Sequence, residues 1–167
     1  PGSLADYIAQ THHAYIRKNL PAIGRRLFEI AVKEGDKFPY MKRVFILFAQ
    51  VRTELDSDLL KEEGVLFPAL KKLTQTDPAG DTCELRPQIK IIQEQHQVAG
   101  TLMRNIRQLT NDYAIPAGAG AAFKGAMRAL REFEADLRTH VDLENNLLFA
   151  KATAHCGSPS FSVKKVN

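Results

Sequence analysis

The stretch SDLLKEEGVLFPAL, residues 57–70, sets Asp58, Glu62 and Glu63 into what is otherwise an apolar helical pattern. A second stretch, THVDLENNLLFAKA at residues 139–152, repeats its layout. An offset of 82 positions lays Glu62 on Glu144, Leu66 on Leu148 and Phe67 on Phe149, and it lays Asp58 on His140. Side chains four apart on a helix are neighbours on one face, so Asp58 pairs with Glu62 and His140 with Glu144. Such acids on an apolar face need a physical reason, because a buried carboxylate requires a partner or a cation.

Apolar residues recur at helical steps on either side of both stretches, and period-two strand patterns do not last. Residues 4–33 read as a first helix carrying Leu4, Ile8, Ile16, Leu20, Ile23, Leu27 and Ile30. Ser3 is its expected N-cap, Pro21 predicts a kink or break, and Gly35 suits its C-terminal turn. Residues 40–73 form a second helix, bent near Gly64 and Pro68; residues 87–112 and 121–154 form a third and a fourth. Four long helices with short connections predict an all-α, antiparallel up-down-up-down four-helix bundle. The bundle domain spans 4–154, followed by an irregular tail at 155–167. The leading Pro-Gly-Ser, residues 1–3, has the look of a cloning scar.

At 167 residues, with 44% hydrophobic and 25% charged residues, the chain has the size and composition of one globular domain. No apolar run has the length of a membrane span, and no secretory signal opens the sequence, so a cytoplasmic location is expected. Cys83 and Cys156 form no metal or redox motif and are expected to be free thiols. The formal charge of +4 raises the question of nucleic acid. Its arginines, however, lie among acids at helical spacing, as on solvated faces, so neither a nucleic acid nor a membrane is expected as a partner.

In each half, one histidine lies on the leading helix and one acid-containing pair on the next. His13, Asp58, Glu62, His96, His140 and Glu144 can therefore face one interior point of a bundle. Taken singly, each has an ordinary reading. A lone His-x3-Glu is more often a surface ion pair, a lone core histidine is more often hydrogen-bonded, and Glu62-Glu63 is a charged face. The conjunction is what counts. Three imidazoles and three carboxylates suit two divalent first-row metals, iron or alternatively manganese, whereas zinc would take a four-ligand set. His12 and His155 fit no such scheme and are expected to be exposed.

The blocks HHAYIRKNLP, KEEGVLFP, EQHQVAGTLMRNIRQLT and HVDLENNLLF resemble those of hemerythrin-like HHE domains. More narrowly, they resemble the di-iron iron–sulfur cluster repair family, also called repair of iron centres. The resemblance covers about Leu4 to Lys151. It implies a bundle holding two iron ions, oxo- or hydroxo-bridged, and a role in recovery from nitrosative and oxidative damage. It further implies damaged iron–sulfur proteins or an electron donor as partners, and nitric oxide or dioxygen as a small ligand. Carried over by position, His13, His96 and His140 match the family's ligands, and Glu62 and Glu144 match its bridging glutamates. Asp58 stands where the family has a histidine, and Glu34 stands where it often has another. Asp58 can ligate metal directly, hydrogen-bond a metal-bound water, or mark a decayed site; ligation is the favoured expectation. The sequence shows no counterpart of the family's small cysteine-bearing N-terminal domain. A hemerythrin-like module that binds or senses oxygen, nitric oxide or iron without catalysis is the alternative, and a metal-free helical interaction protein is a third reading. No residue is assigned a catalytic role, and whether the protein is an enzyme is left open.

Overall fold

The computed structural model describes residues 2–76 and 82–154. The expected tail at 155–167, with His155 and Cys156, lies outside them. Four long helices account for most of the described chain, and among the described residues there is no strand. Helix α1 spans 2–33, α2 spans 40–76, α3 is Arg86–Leu109 and α4 spans 121–153. A short 3-10 turn, Thr82–Leu85, leads into α3, and Pro87 occupies its first turn, where a missing N–H costs nothing.

The apolar residues form two separate clusters. The larger holds Ile16 to Ile30 from α1, Met41 to Leu59 from α2, Ala99 to Ile106 from α3 and Phe123 to Leu137 from α4. The smaller holds Ala5 and Ile8, Leu66 to Leu70, Ile89 and Ile92, and Leu148 to Ala152. Along α1 and α3 the small cluster comes first, and along α2 and α4 it comes last. Successive helices therefore run in alternate senses. On all four, the predicted polar residues fall at the junction of the two clusters, so a polar layer crosses the bundle.

Three of the helices contain one wide π turn, at Ala9–His13, Glu62–Leu66 and Glu144–Phe149. Each touches the polar layer, in keeping with the habit of π turns to sit at functional sites. Pro68 follows the second of them. It has no N–H to give, and the wide turn lies in the stretch whose carbonyls that N–H would have served. Pro21 does not break α1, which continues from Ala14 to Lys33. Its ring is exposed, and the carbonyl it leaves without a donor belongs to Arg17, itself exposed to water. The N-cap expected at Ser3 is displaced, because the helix already includes Gly2.

Helix α3 stops earlier than its apolar pattern suggests. Asn111, Asp112 and Tyr113 take left-handed backbone angles, with φ of 48°, 59° and 60°. Asn and Asp tolerate that region. Tyr113 is held there by two bonds: its N–H donates to Thr110 Oγ1 at 3.1 Å, and its hydroxyl donates to Glu134 at 2.9 Å. Burial and the neighbouring Glu134 push the Tyr113 phenol well above its usual range.

Cys83 is disulfide-bonded, which corrects the expectation of a free thiol. The physical setting is clear from the fold: Thr82–Leu85 packs on Ala150–Thr153, so the start of the second half lies beside the end of α4.

Gly35 follows the end of α1 for want of space rather than for a left-handed angle. A Cβ placed there would lie 2.2 Å from the backbone oxygen of Ala31. Gly35→Ala is expected to cost about 1–3 kcal/mol of stability, because backbone must move to admit the methyl. Urea unfolding of the two proteins measures it, and equal midpoints would refute this account of the turn.

Candidate metal centre

The six predicted residues do come together. His13, Asp58, Glu62, His140 and Glu144 are 0% exposed and His96 is 3% exposed. The atoms divide into two nests. In one, His13 Nε2 lies 3.1 Å from His140 Nε2, 3.3 Å from Glu62 Oε2 and 3.4 Å from Glu144 Oε1. His140 Nε2 is 3.0 Å from that same Glu144 oxygen. In the other, His96 Nε2 lies 3.0 Å from Asp58 Oδ2, 3.2 Å from Glu144 Oε2 and 3.6 Å from Glu62 Oε1. Glu62 and Glu144 thus each turn one oxygen to either nest.

Apart from the His13–His140 hydrogen bond, these contacts are close without being hydrogen bonds. Both oxygens of Asp58, Glu62 and Glu144 lack a hydrogen-bond partner, as do both nitrogens of His96. Buried groups left so need an explanation, and an ion is one. Donors about 2.1 Å from a common ion stand about 3.0 Å apart at right angles, which is the spacing found here. The donor set fits two cations: imidazole nitrogen caps each, and carboxylates bridge between them.

The repeated Leu-Phe now has a reason. Phe67 stacks on the ring of His13, with centroids 5.6 Å apart, and Phe149 stacks on His96 at 6.4 Å. In each half the phenylalanine backs the histidine of that half's leading helix.

Two residues that the sequence reading set aside support the layer. Glu63 is not merely a surface charge: its Oε1 accepts from His13 Nδ1 at 2.7 Å and from Arg17 at 2.8 Å. That bond puts the proton on Nδ1 and leaves Nε2 free to face the nest. Burial works against the Glu63 charge, yet Arg17 and His13 hold its carboxyl below the usual range. His12, expected to be exposed, is buried at 5%. Its Nδ1 meets Asp136 at 3.0 Å and its ring stacks on His140. The π turn at Ala9–His13 explains this correction, since its wider ring rotates successive side chains less and brings both histidines inward. Glu34 takes no part. It ends α1, about 30 Å along the helix from His13 at 1.5 Å per residue.

Without metal, protons hold the carboxylates apart. Burial opposes charge on His13, but Glu144 and Glu62 push it up to about 10. His96 is likewise opposed by burial and pushed up to about 12 by Asp58, Glu144 and Glu62. Burial and the charge of Glu144 lift Glu62 to about 7. Glu144 stays well below its usual range, because His140, His13 and His96 outweigh its burial.

A polar layer of shared carboxylates and imidazoles inside a four-helix bundle defines a helical metal-binding protein. The Hemerythrin HHE cation binding domain matches residues 5–152, and the chain belongs to that family. It is 29% identical over 151 residues to the "Iron-sulfur cluster repair protein YtfE" of Escherichia coli O157:H7, covering 90% of this chain and 66% of that protein. It is 28% identical over 153 residues to the protein of the same name from Enterobacter sp. (strain 638), covering 92% and 66%. The chain thus spans just under two thirds of the length of these curated relatives.

Metal uptake is expected to displace protons, because His13 and His96 are protonated at neutral pH in the metal-free protein. Each proton released steepens the apparent binding constant by about tenfold per pH unit, so affinity rises from pH 6 to 8. Calorimetry in buffers of different ionisation enthalpy counts the protons. The metal-free fold shows the opposite trend. The raised His13 value contributes stability that is complete below its ordinary 6.5 and is lost as pH rises through about 10.

Proposed function

We propose that this protein holds a non-haem di-iron centre and serves in defence against nitrosative and oxidative damage, repairing iron–sulfur clusters or supplying iron to them. The observation that carries the reading is the division of Glu62 and Glu144, each with one oxygen in either nest. A single ion would not require that sharing. The names of the relatives, which speak of iron–sulfur cluster repair, support the biological part.

Iron bound there supplies one-electron chemistry and open coordination positions. The chain's own residues do the rest. Glu62 and Glu144 hold the two nests at a fixed separation. His13 is kept in one tautomer by Glu63, which Arg17 anchors in turn. Asp58 is read as a ligand in place of a histidine; it makes its nest more anionic and richer in oxygen, which favours higher oxidation states of the ion. The two apolar clusters close the layer above and below and exclude water.

Clients would be damaged iron–sulfur proteins or an electron donor, and the small ligand nitric oxide or dioxygen. Among the described residues no helix is long and apolar enough to cross a membrane. A cytoplasmic location belongs to the same reading, although a disulfide such as that of Cys83 is uncommon in a reducing compartment. A binding or sensing module without catalysis is the second reading. The full burial of five of the donors favours it, since an enclosed centre retains its metal.

The test is iron content and optical spectra after anaerobic Fe(II) loading and exposure to air. Two irons per chain are expected for the wild type and for Asp58→His, fewer for Asp58→Ala, and at most one for Glu62→Ala or Glu144→Ala. If Glu62→Ala keeps two irons, the bridging assignment is wrong. Transfer of that iron to a demetallated iron–sulfur protein separates repair from simple binding: retention in the bundle throughout would sink the repair reading.

A further inference from the structure

The two nests differ in how they are closed. His13 and His140 are backed by Phe67 and by His12, and Tyr7 in turn sets its ring edge against His12. His96 is backed by Phe149 but also forms part of the wall of a cavity of about 240 Å³ between α3 and α4. Helix α3 lies closely against α2, but meets Ala121–Leu143 of α4 along only a short stretch. That seam is where the bundle gapes. A larger cavity, about 580 Å³ between Arg86 and Thr153, is lined by none of the six donors.

Gly100 keeps the seam open. It lines the cavity one helical turn after His96, and a Cβ added there would meet nothing within 4 Å. Met103, Leu137 and Val141 give the passage apolar walls, while Arg104, Arg138, Glu134 and Asp142 carry its charge. Glu134 is compensated, bonded by Arg138 at 2.7 Å and by the Tyr113 hydroxyl at 2.9 Å. Arg104 and Asp142 then offset each other. The Nδ1 of His96, on the ring edge away from the carboxylates, is buried and has no partner.

We infer that this seam is the route by which a small uncharged or singly anionic ligand reaches the centre, that it arrives at the Asp58–His96 nest, and that Gly100 sets the width of the passage. The inference rests on the metal reading above for what the ligand meets, and on the cavity alone for how it travels. Walls of this kind admit a molecule of two or three heavy atoms. Their two carboxylates, Glu134 and Asp142, are matched in number by Arg104 and Arg138, so the walls carry no surplus negative charge to draw in a hydrated divalent cation, and the route serves the ligand rather than the metal.

The experiment compares wild type with Gly100→Leu, using Gly24→Leu on α1 as control, because a Cβ there also meets open space and Gly24 lies outside the cavity. Leucine favours the helix over glycine, so both variants are expected to fold. With iron loaded and oxidised, azide is added in a stopped-flow instrument, and its charge-transfer band is followed. Gly100→Leu is expected to slow azide association about tenfold or more, with unchanged iron content, while the control keeps the wild-type rate. Equal rates in all three overturn the route. Crystals of the metal-free protein under xenon supply an arm that needs no iron. Density beside His96 in the wild type, lost in Gly100→Leu, is expected, and a seam that takes no xenon overturns the route. Failure to hold iron, together with the expected xenon density, would locate the error in the metal reading instead.

Discussion

Three carboxylates and three imidazoles share one dry layer of the bundle, and the rest of the structure is arranged around the cost of that burial. An isolated carboxylate in such a place would be very unfavourable. In the metal-free chain the layer tolerates itself by moving protons onto His13, His96 and, in part, Glu62. Two divalent cations would do the same work with stronger bonds and fixed geometry. Everything nearby serves to hold the donors still: Phe67 and Phe149 behind two imidazoles, Glu63 and Arg17 behind His13, His12 and Asp136 behind His140.

The near-symmetry of the layer follows from the near-repeat of the chain. Glu62 and Glu144 are equivalent in the 82-residue offset, and each reaches both nests. The symmetry fails at Asp58 and His140. One nest therefore has two imidazoles, and the other has one imidazole and an extra carboxylate. The two positions would hold their ions at unequal electron density, and the nest with the extra carboxylate is the one beside the seam.

The helices and the six gathered residues were legible because both depend on period. Apolar residues three and four apart mark the helices, and the offset between halves singles out Glu62, Glu144, Asp58 and His140. The family resemblance drew on those same blocks. What escaped lies where period fails. Burial of His12 depends on a π turn, and no residue type announces such a turn in advance. Glu63 looked like a surface acid because its partner, His13, is fifty residues away. The early end of α3 depends on a tyrosine that finds Glu134 across a turn. Cys83 looked like a lone thiol because the contact of Thr82–Leu85 with Ala150–Thr153 exists only in three dimensions.

The polar layer also cuts the hydrophobic interior in two. The smaller cluster, from Ala5 and Ile8 to Phe149 and Ala152, is separate from the larger, and the donors lie at their junction. Such a division makes two cooperative units from one bundle, each able to open at its own free energy. The small end would open first, and amide exchange there would be the faster. The ions would then act as a rivet between the units, and their departure would loosen one end of the molecule while the other stayed folded.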